Sequence, residues 1–154
     1  MKIAGIDPKL LPPEDTLVLP RGDGNIVFKA RGLSDMDEFN KLCPEPTPPV
    51  ISTNSGQRLD TEDANYLSDL KEHGKRRWAY YVVKSLQDME WDTVKPDQPS
   101  TWPNWDADLK SNGFTHAERN RVFNLVLEAN SLSESKLDQA RAIFLLGRPE
   151  APKT

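Results

Sequence analysis

Two periods of apolar spacing divide the chain. Thr16-Leu17-Val18-Leu19-Pro20 and Ile26-Val27-Phe28-Lys29-Ala30 are short apolar runs on either side of Arg21-Gly22-Asp23-Gly24-Asn25. Gly and Asn adopt turn conformations cheaply, so residues 16–31 are predicted to form a β-hairpin. Two strands alone are marginal in water, and this pair must pack on helices, on further strands or on a partner chain. From residue 60 the spacing changes to three and four. Leu67, Leu70, Trp78, Tyr81, Val82 and Leu86 fall on one helical face, in a helix that starts at Asp60 or Thr61 and ends near Met89. Gly74 interrupts it. A Gly inside a helix costs about 1 kcal/mol against Ala, so a bend or a close backbone approach is expected there.

The remaining elements follow from caps and breakers. Residues 1–15 are Pro- and charge-rich and read as an arm. Ser34 is placed to cap a short helix, 35–42, with Met36, Phe39 and Leu42 on one stripe. Pro44-Glu45-Pro46-Thr47-Pro48-Pro49 ends it and continues through Gly56 as a stiff, extended connector. After Trp91-Asp92-Thr93-Val94, Ser100 caps a helix that holds Pro103 in its first turn, with Trp102, Trp105 and Leu109 on one face and Asn112-Gly113 as its stop. Thr115 and Glu118 have the spacing of a capping box, with Phe114 as a hydrophobic staple. Val122, Phe123, Leu125, Val126 and Ala129 then make a wide apolar face that ends at Asn130. Ser133 caps the last helix, which Leu137, Ala140, Ile143 and Phe144 line on one side, and Gly147 and Pro149 stop it. The expected fold is α+β, mainly α: an N-terminal β-hairpin, a proline-rich connector and a bundle of about four helices. The expected division is an arm, hairpin and short helix over 1–49, a linker at 50–59, a helical domain at 60–147 and a flexible tail at 148–154.

Composition narrows the partners. The 154 residues include 13 Pro and are 36% hydrophobic, so a compact core in part of the chain and thinner packing elsewhere are expected. A formal net charge of -4 argues against nucleic acid, which selects a basic surplus. No run approaches the roughly 18 apolar residues of a membrane span, and the N-terminus has no signal-peptide core. The one cysteine, Cys43, excludes an intrachain disulfide and fits a reducing cytoplasm.

Candidate chemistry is sparse. His73 and His116 are the only imidazoles and lie in no metal-binding spacing, so no metal and no cofactor are expected. Nothing in the spacing ties Cys43 to either His as a nucleophile and base would require. Asp60 with Asp63, and Asp106 with Asp108, read as helix-start charges and solvated faces rather than acid–base pairs. Lys75-Arg76-Arg77 reads as a solvated helix face, Pro46-Thr47-Pro48-Pro49 as a spacer and Arg21-Gly22-Asp23 as a turn. The aromatic residues remain. Trp102 and Trp105 on a capped helix read as core, or else as a groove for a partner, because Trp is over-represented at binding hot spots.

The run Tyr80-Tyr81-Val82-Val83-Lys84-Ser85-Leu86, then Trp91-Asp92-Thr93-Val94 and Pro99-Ser100-Thr101-Trp102-Pro103-Asn104-Trp105, resembles the tail assembly chaperones of long-tailed bacteriophages. So do Gly113-Phe114-Thr115, Leu127-Glu128-Ala129-Asn130-Ser131-Leu132 and Ala140-Arg141-Ala142-Ile143-Phe144-Leu145, and, more loosely, Leu42-Cys43-Pro44-Glu45-Pro46. The likeness covers about residues 78–147 and rests on packing motifs without catalytic letters. It implies a non-enzymatic helper in the host cell cytoplasm. Such helpers bind the long helical tape-measure protein, keep it soluble and help tail-tube protein polymerise around it. Helix-in-groove binding needs repeated apolar anchors, and Trp78, Tyr81, Trp102 and Trp105 are the expected partner-binding residues. A homo-oligomer is compatible with this reading. The alternatives are a structural tail or neck subunit that self-assembles into a ring, and, last, an enzyme or small host-directed effector.

Overall fold

The structure, a computed structural model, describes residues 1–147, so the expected tail at 148–154 lies outside the described residues. Strands β1 (Asp15–Arg21) and β2 (Gly24–Ala30) form the antiparallel hairpin, with Leu19 opposite Ile26 and Leu17 opposite Phe28. A short 3-10 turn, Pro8–Leu10, precedes it. Helix α1 (Asp37–Leu42) follows, then α2 (Ala64–Ser85), α3 (Trp105–Ser111), α4 (His116–Ala129) and α5 (Glu134–Leu146). The fold is α+β and mainly α.

The expected linker at 50–59 is instead a second hairpin, β3 (Val50–Thr53) and β4 (Gly56–Leu59). Its turn holds Gly56 at φ 114, a conformation that disfavours other residues, and the Thr53 hydroxyl donates to the Gly56 carbonyl at 2.7 Å. Every residue of β4 is exposed, so no apolar alternation marks the strand. The Asp60 N–H closes the hairpin on the Pro49 carbonyl at 2.8 Å.

Helix starts also shift. The Asp63 carboxylate accepts from the Tyr66 N–H at 2.9 Å, so α2 begins at Ala64 rather than at residue 60 or 61. Helix α2 runs through Gly74 unbroken, and nothing lies within 4 Å of where a Gly74 Cβ would be; the helix neither breaks there nor admits a second backbone. Ser100 does not cap a helix. Residues Pro99–Asn104 form a 3-10 segment tied by the Thr101 hydroxyl to Lys95 and Gln98, and α3 starts only at Trp105. Ser34 likewise gives way to Met36 as the residue before α1. The capping box of α4 is present in both directions: Thr115 Oγ1 accepts from the Glu118 N–H at 3.2 Å, and Glu118 Oε1 from the Thr115 N–H at 3.0 Å. Ser133 caps α5.

The core has two parts that share α2 as a wall. On one side, Val82 and Leu86 of α2 meet Leu19, Phe28 and Ala30 of the hairpin and Val122, Leu125 and Val126 of α4. On the other, Ala79, Tyr80 and Val83 meet Phe39, Cys43, Val94 and Trp102. Segments 1–49 and 60–147 thus meet in shared cores, which is how the first hairpin buries its apolar face. Trp91 and Trp105 pack against both. Asn130, just past α4, bolts the seam. Its amide donates to Ser85 Oγ at 2.9 Å and to the Val126 carbonyl at 2.8 Å, while its oxygen accepts from the Leu33 N–H at 2.9 Å.

The chain reaches that seam through Gly32. A Cβ built on Gly32 would stand 2.5 Å from the Ala129 carbonyl oxygen, so the α4 terminus fits only a residue without one. Gly32→Ala is expected to destabilise the fold by about 1–3 kcal/mol, read as a lower urea midpoint at unchanged slope.

Helix α5 differs from its expectation. None of its residues is buried; Leu137 and Ile143, expected to line one side, are exposed. Lys136 holds its first turn by an ion pair to Asp15 at 2.9 Å.

Candidate partner-binding site

The apolar stripe of α2 is longer than the core that it enters. Its buried residues begin only at Ala79. Earlier turns carry the same stripe into solvent, leaving Leu67, Leu70 and Trp78 exposed, Trp78 by 52%. Tyr81 follows Trp78 by one turn and is half-buried, with ring centroids 5.8 Å apart. From α4, Phe123 reaches the same face: it lies 6.0 Å from Trp78 edge-on and stacks on Trp105 at 6.1 Å. Leu127, one turn on, is 37% exposed. The result is a continuous aromatic row, Tyr81–Trp78–Phe123–Trp105, flanked by Leu70 and Leu127.

Beside the row runs a groove of about 730 Å³, lined among others by Leu70, His73, Gly74, Trp78, Tyr81 and Leu127. The missing side chain at Gly74 keeps it open. Arg77, Glu45 and Asn130 supply its polar lining. The groove thus combines large apolar side chains with a few polar groups.

Of the residues expected at a partner site, the structure brings Trp78, Tyr81 and Trp105 together on this row. It does not bring Trp102. That side chain has no exposed surface; its ring packs on Tyr80 at 5.1 Å and Phe39 at 6.3 Å, and the indole N–H donates to the Pro96 carbonyl at 3.2 Å. Trp102 is core because the 3-10 segment packs it against Tyr80 of α2, with Phe39 and Val94 closing around it, whereas Trp105 lies against both core parts and stays half-buried. Phe123 and Leu127 were not among the expected contacts. Their sign was the width of the α4 apolar face, which exceeds what one packed neighbour covers.

Polar groups nearby are structural. His73 Nε2 lies 3.2 Å from the Cys43 carbonyl oxygen, and its ring packs on Phe39 at 5.2 Å. The two meet through the backbone of Cys43. Burial pushes the Cys43 thiol above its ordinary pKa, with the Arg76 guanidinium opposing that shift. Cys43 is therefore expected to react with Ellman's reagent at pH 8 at least about tenfold more slowly than free cysteine, and at the free rate only after denaturation. Burial and the Glu38 carboxylate push the Tyr80 hydroxyl up to about 12, so it is neutral at any working pH. Among the described residues, no group of three or more His, Cys, Asp or Glu is placed to hold a metal ion, and no helix is long and apolar enough to cross a membrane.

No family model, curated protein or solved structure matches this chain.

Proposed function

We propose that this chain is a tail assembly chaperone of a long-tailed bacteriophage, a non-enzymatic protein of the host cytoplasm that binds the tape-measure protein and keeps it soluble while tail-tube protein assembles. The observation that carries the reading is the aromatic row beside an open groove, with Trp78 exposed and Tyr81, Phe123 and Trp105 half-buried. A row of large, rigid apolar side chains on a folded monomer is the kind of surface that marks a protein interface. Its length along α2 suits a helical client read through repeated anchors. The resemblance over residues 78–147 supports the same class, and the net charge of -4 favours a soluble loaded complex.

The test is co-expression with a tape-measure protein encoded by the same genome. Leu70→Ser with Trp78→Ser removes two exposed anchors. The soluble fraction of the tape-measure protein is expected to drop several-fold while the melting temperature of the variant stays within a few degrees of the parent. An equal soluble fraction with parent and variant overturns the reading.

A second reading, a tail or neck subunit that closes into a ring, draws on α5, whose Leu137, Ile143 and Leu146 are exposed. Rings or tubes formed by the purified chain, together with failure to solubilise the client, favour it over the first.

A further inference from the structure

The first hairpin leaves one edge open beside a cleft. Its two-residue turn, Gly22-Asp23, joins the pair Arg21 and Gly24. Hydrogen-bonded pairs alternate along an antiparallel ladder, so Ile26, Phe28 and Ala30 bond to β1, while Asn25, Val27, Lys29 and Arg31 turn their backbone groups away from it. Two bonds show this directly. The Arg31 N–H donates to the Ser85 carbonyl at 2.9 Å and the Gln87 N–H to the Lys29 carbonyl at 2.8 Å, around the bridge between Ala30 and Leu86. Residues 85–87 thus begin a third strand on β2. They do not continue it. Asp88 takes a left-handed conformation, φ 58, and the chain swings away. Val27 stays 49% exposed.

The space left between β2 and the departing chain is a cleft of about 320 Å³. Phe28, Met89, Trp91, Leu109 and Phe114 give it an apolar lining, with Phe28 and Phe114 edge to face at 5.4 Å. Its rim is acidic. Asp88, Glu90 and Asp92 are exposed around it, and Lys29 is the one cation lining it among the described residues. Asp108, below them, spends its carboxylate on Thr93 and Val94.

We propose that the edge of β2 at residues 25–29 accepts an extended partner segment as a third strand, antiparallel to β2, with an apolar side chain in the cleft and lysine or arginine at the rim. Backbone bonds to the N–H and carbonyl of Val27 and to the N–H of Lys29, whose carbonyl already accepts from Gln87, would give affinity, and the pocket for alternate side chains would give selectivity. The acidic rim selects a basic partner over a second copy of this chain, which is itself acidic and would bring its own rim carboxylates to the contact. This edge shares no residue with the aromatic groove, and the inference stands whether or not that groove holds a tape-measure protein.

The probe is a short fluorescein-labelled peptide alternating lysine with valine around one central phenylalanine, titrated with the full chain and read by polarisation. Saturable binding is expected. The same peptide N-methylated on the backbone amides that would face β2, with charge and side chains intact, is expected to bind at least about tenfold more weakly. So is the parent peptide to Val27→Pro, because Val27 donates no ladder bond to β1 and proline there removes only an outward N–H. Glu90→Lys with Asp92→Lys is expected to weaken binding and flatten its salt dependence. Equal binding by the N-methylated peptide, which needs no variant to fold, overturns the proposal. So does equal binding of a glutamate-for-lysine peptide, or a concentration-dependent protection of the Val27 amide from hydrogen exchange in the chain alone, which would assign the edge to a second copy.

Discussion

Trp102→Ala is expected to destabilise the fold by about 3–5 kcal/mol, in the range for emptying a fully buried large aromatic site. Domains of this size are stable by about 5–15 kcal/mol, so the variant would lose about a fifth or more of that margin. Three things are lost together. The indole fills the centre of the second core part between Phe39, Tyr80 and Val94. Its ring contacts to Tyr80 and Phe39 disappear. The Pro96 carbonyl loses its donor. Guanidinium denaturation followed by far-ultraviolet circular dichroism measures the change. Trp78→Ala is the contrast: with half its surface in water, it is expected to shift stability by less than about 1 kcal/mol. Similar midpoints for the two variants would mean that Trp102 is not the centre of the core.

Asp108→Ala is expected to cost about 2–4 kcal/mol, from the loss of three bonds to a charged acceptor, one of which leaves the buried Val94 N–H unpaired. Asp108 is 5% exposed on α3. Its carboxylate accepts from the Thr93 N–H at 2.9 Å, the Thr93 hydroxyl at 2.6 Å and the Val94 N–H at 3.3 Å. This pins the irregular segment after Trp91 to the helix, where no ladder exists to satisfy those groups. Burial alone would raise the Asp108 pKa, but the Thr93 hydroxyl and the backbone N–H groups of Thr93, Val94 and Asp92 outweigh it and hold the carboxyl below its ordinary value. A carboxyl with a lowered folded pKa stabilises fully above the unfolded value of about 3.9, and that contribution is lost as the pH falls through the folded value. Glu118 has the same sign, lowered by Arg21 and by the Thr115 N–H. Stability is therefore expected to be flat from about pH 5 to 8 and to fall on acidification. Asp108→Asn should flatten part of that acid limb while lowering stability at pH 7, since its amide would point a donor at donors. An unchanged acid limb in Asp108→Asn would exclude this carboxylate as a source of the acid sensitivity.

The two residues were legible to different degrees. Trp102 reads as core or as contact from its type alone; what decides is that Phe39 of α1, Tyr80 of α2 and Val94 converge on it from elsewhere in the chain. Asp108 reads as a helix-start charge. Its role depends on a loop fifteen residues earlier, and no local pattern records where Thr93 will lie. The second hairpin was hidden for another reason: its strands carry polar residues on both faces, and hydrophobic alternation is blind to a ladder that buries nothing.

By itself the sequence determined what local chemistry decides. The first hairpin follows from its turn residues, α4 from its capping box, α5 from its serine cap, and the mainly helical class from apolar spacing, because each depends on neighbours a few residues apart. Tertiary structure alone decided which parts of those apolar stripes meet water. Period places Trp78 and Val82 on one α2 face, yet the first stands exposed and the second has no exposed surface. Burial is a property of how far the surrounding elements extend, and that length is set by the hairpin, α4 and the 3-10 segment together rather than by α2.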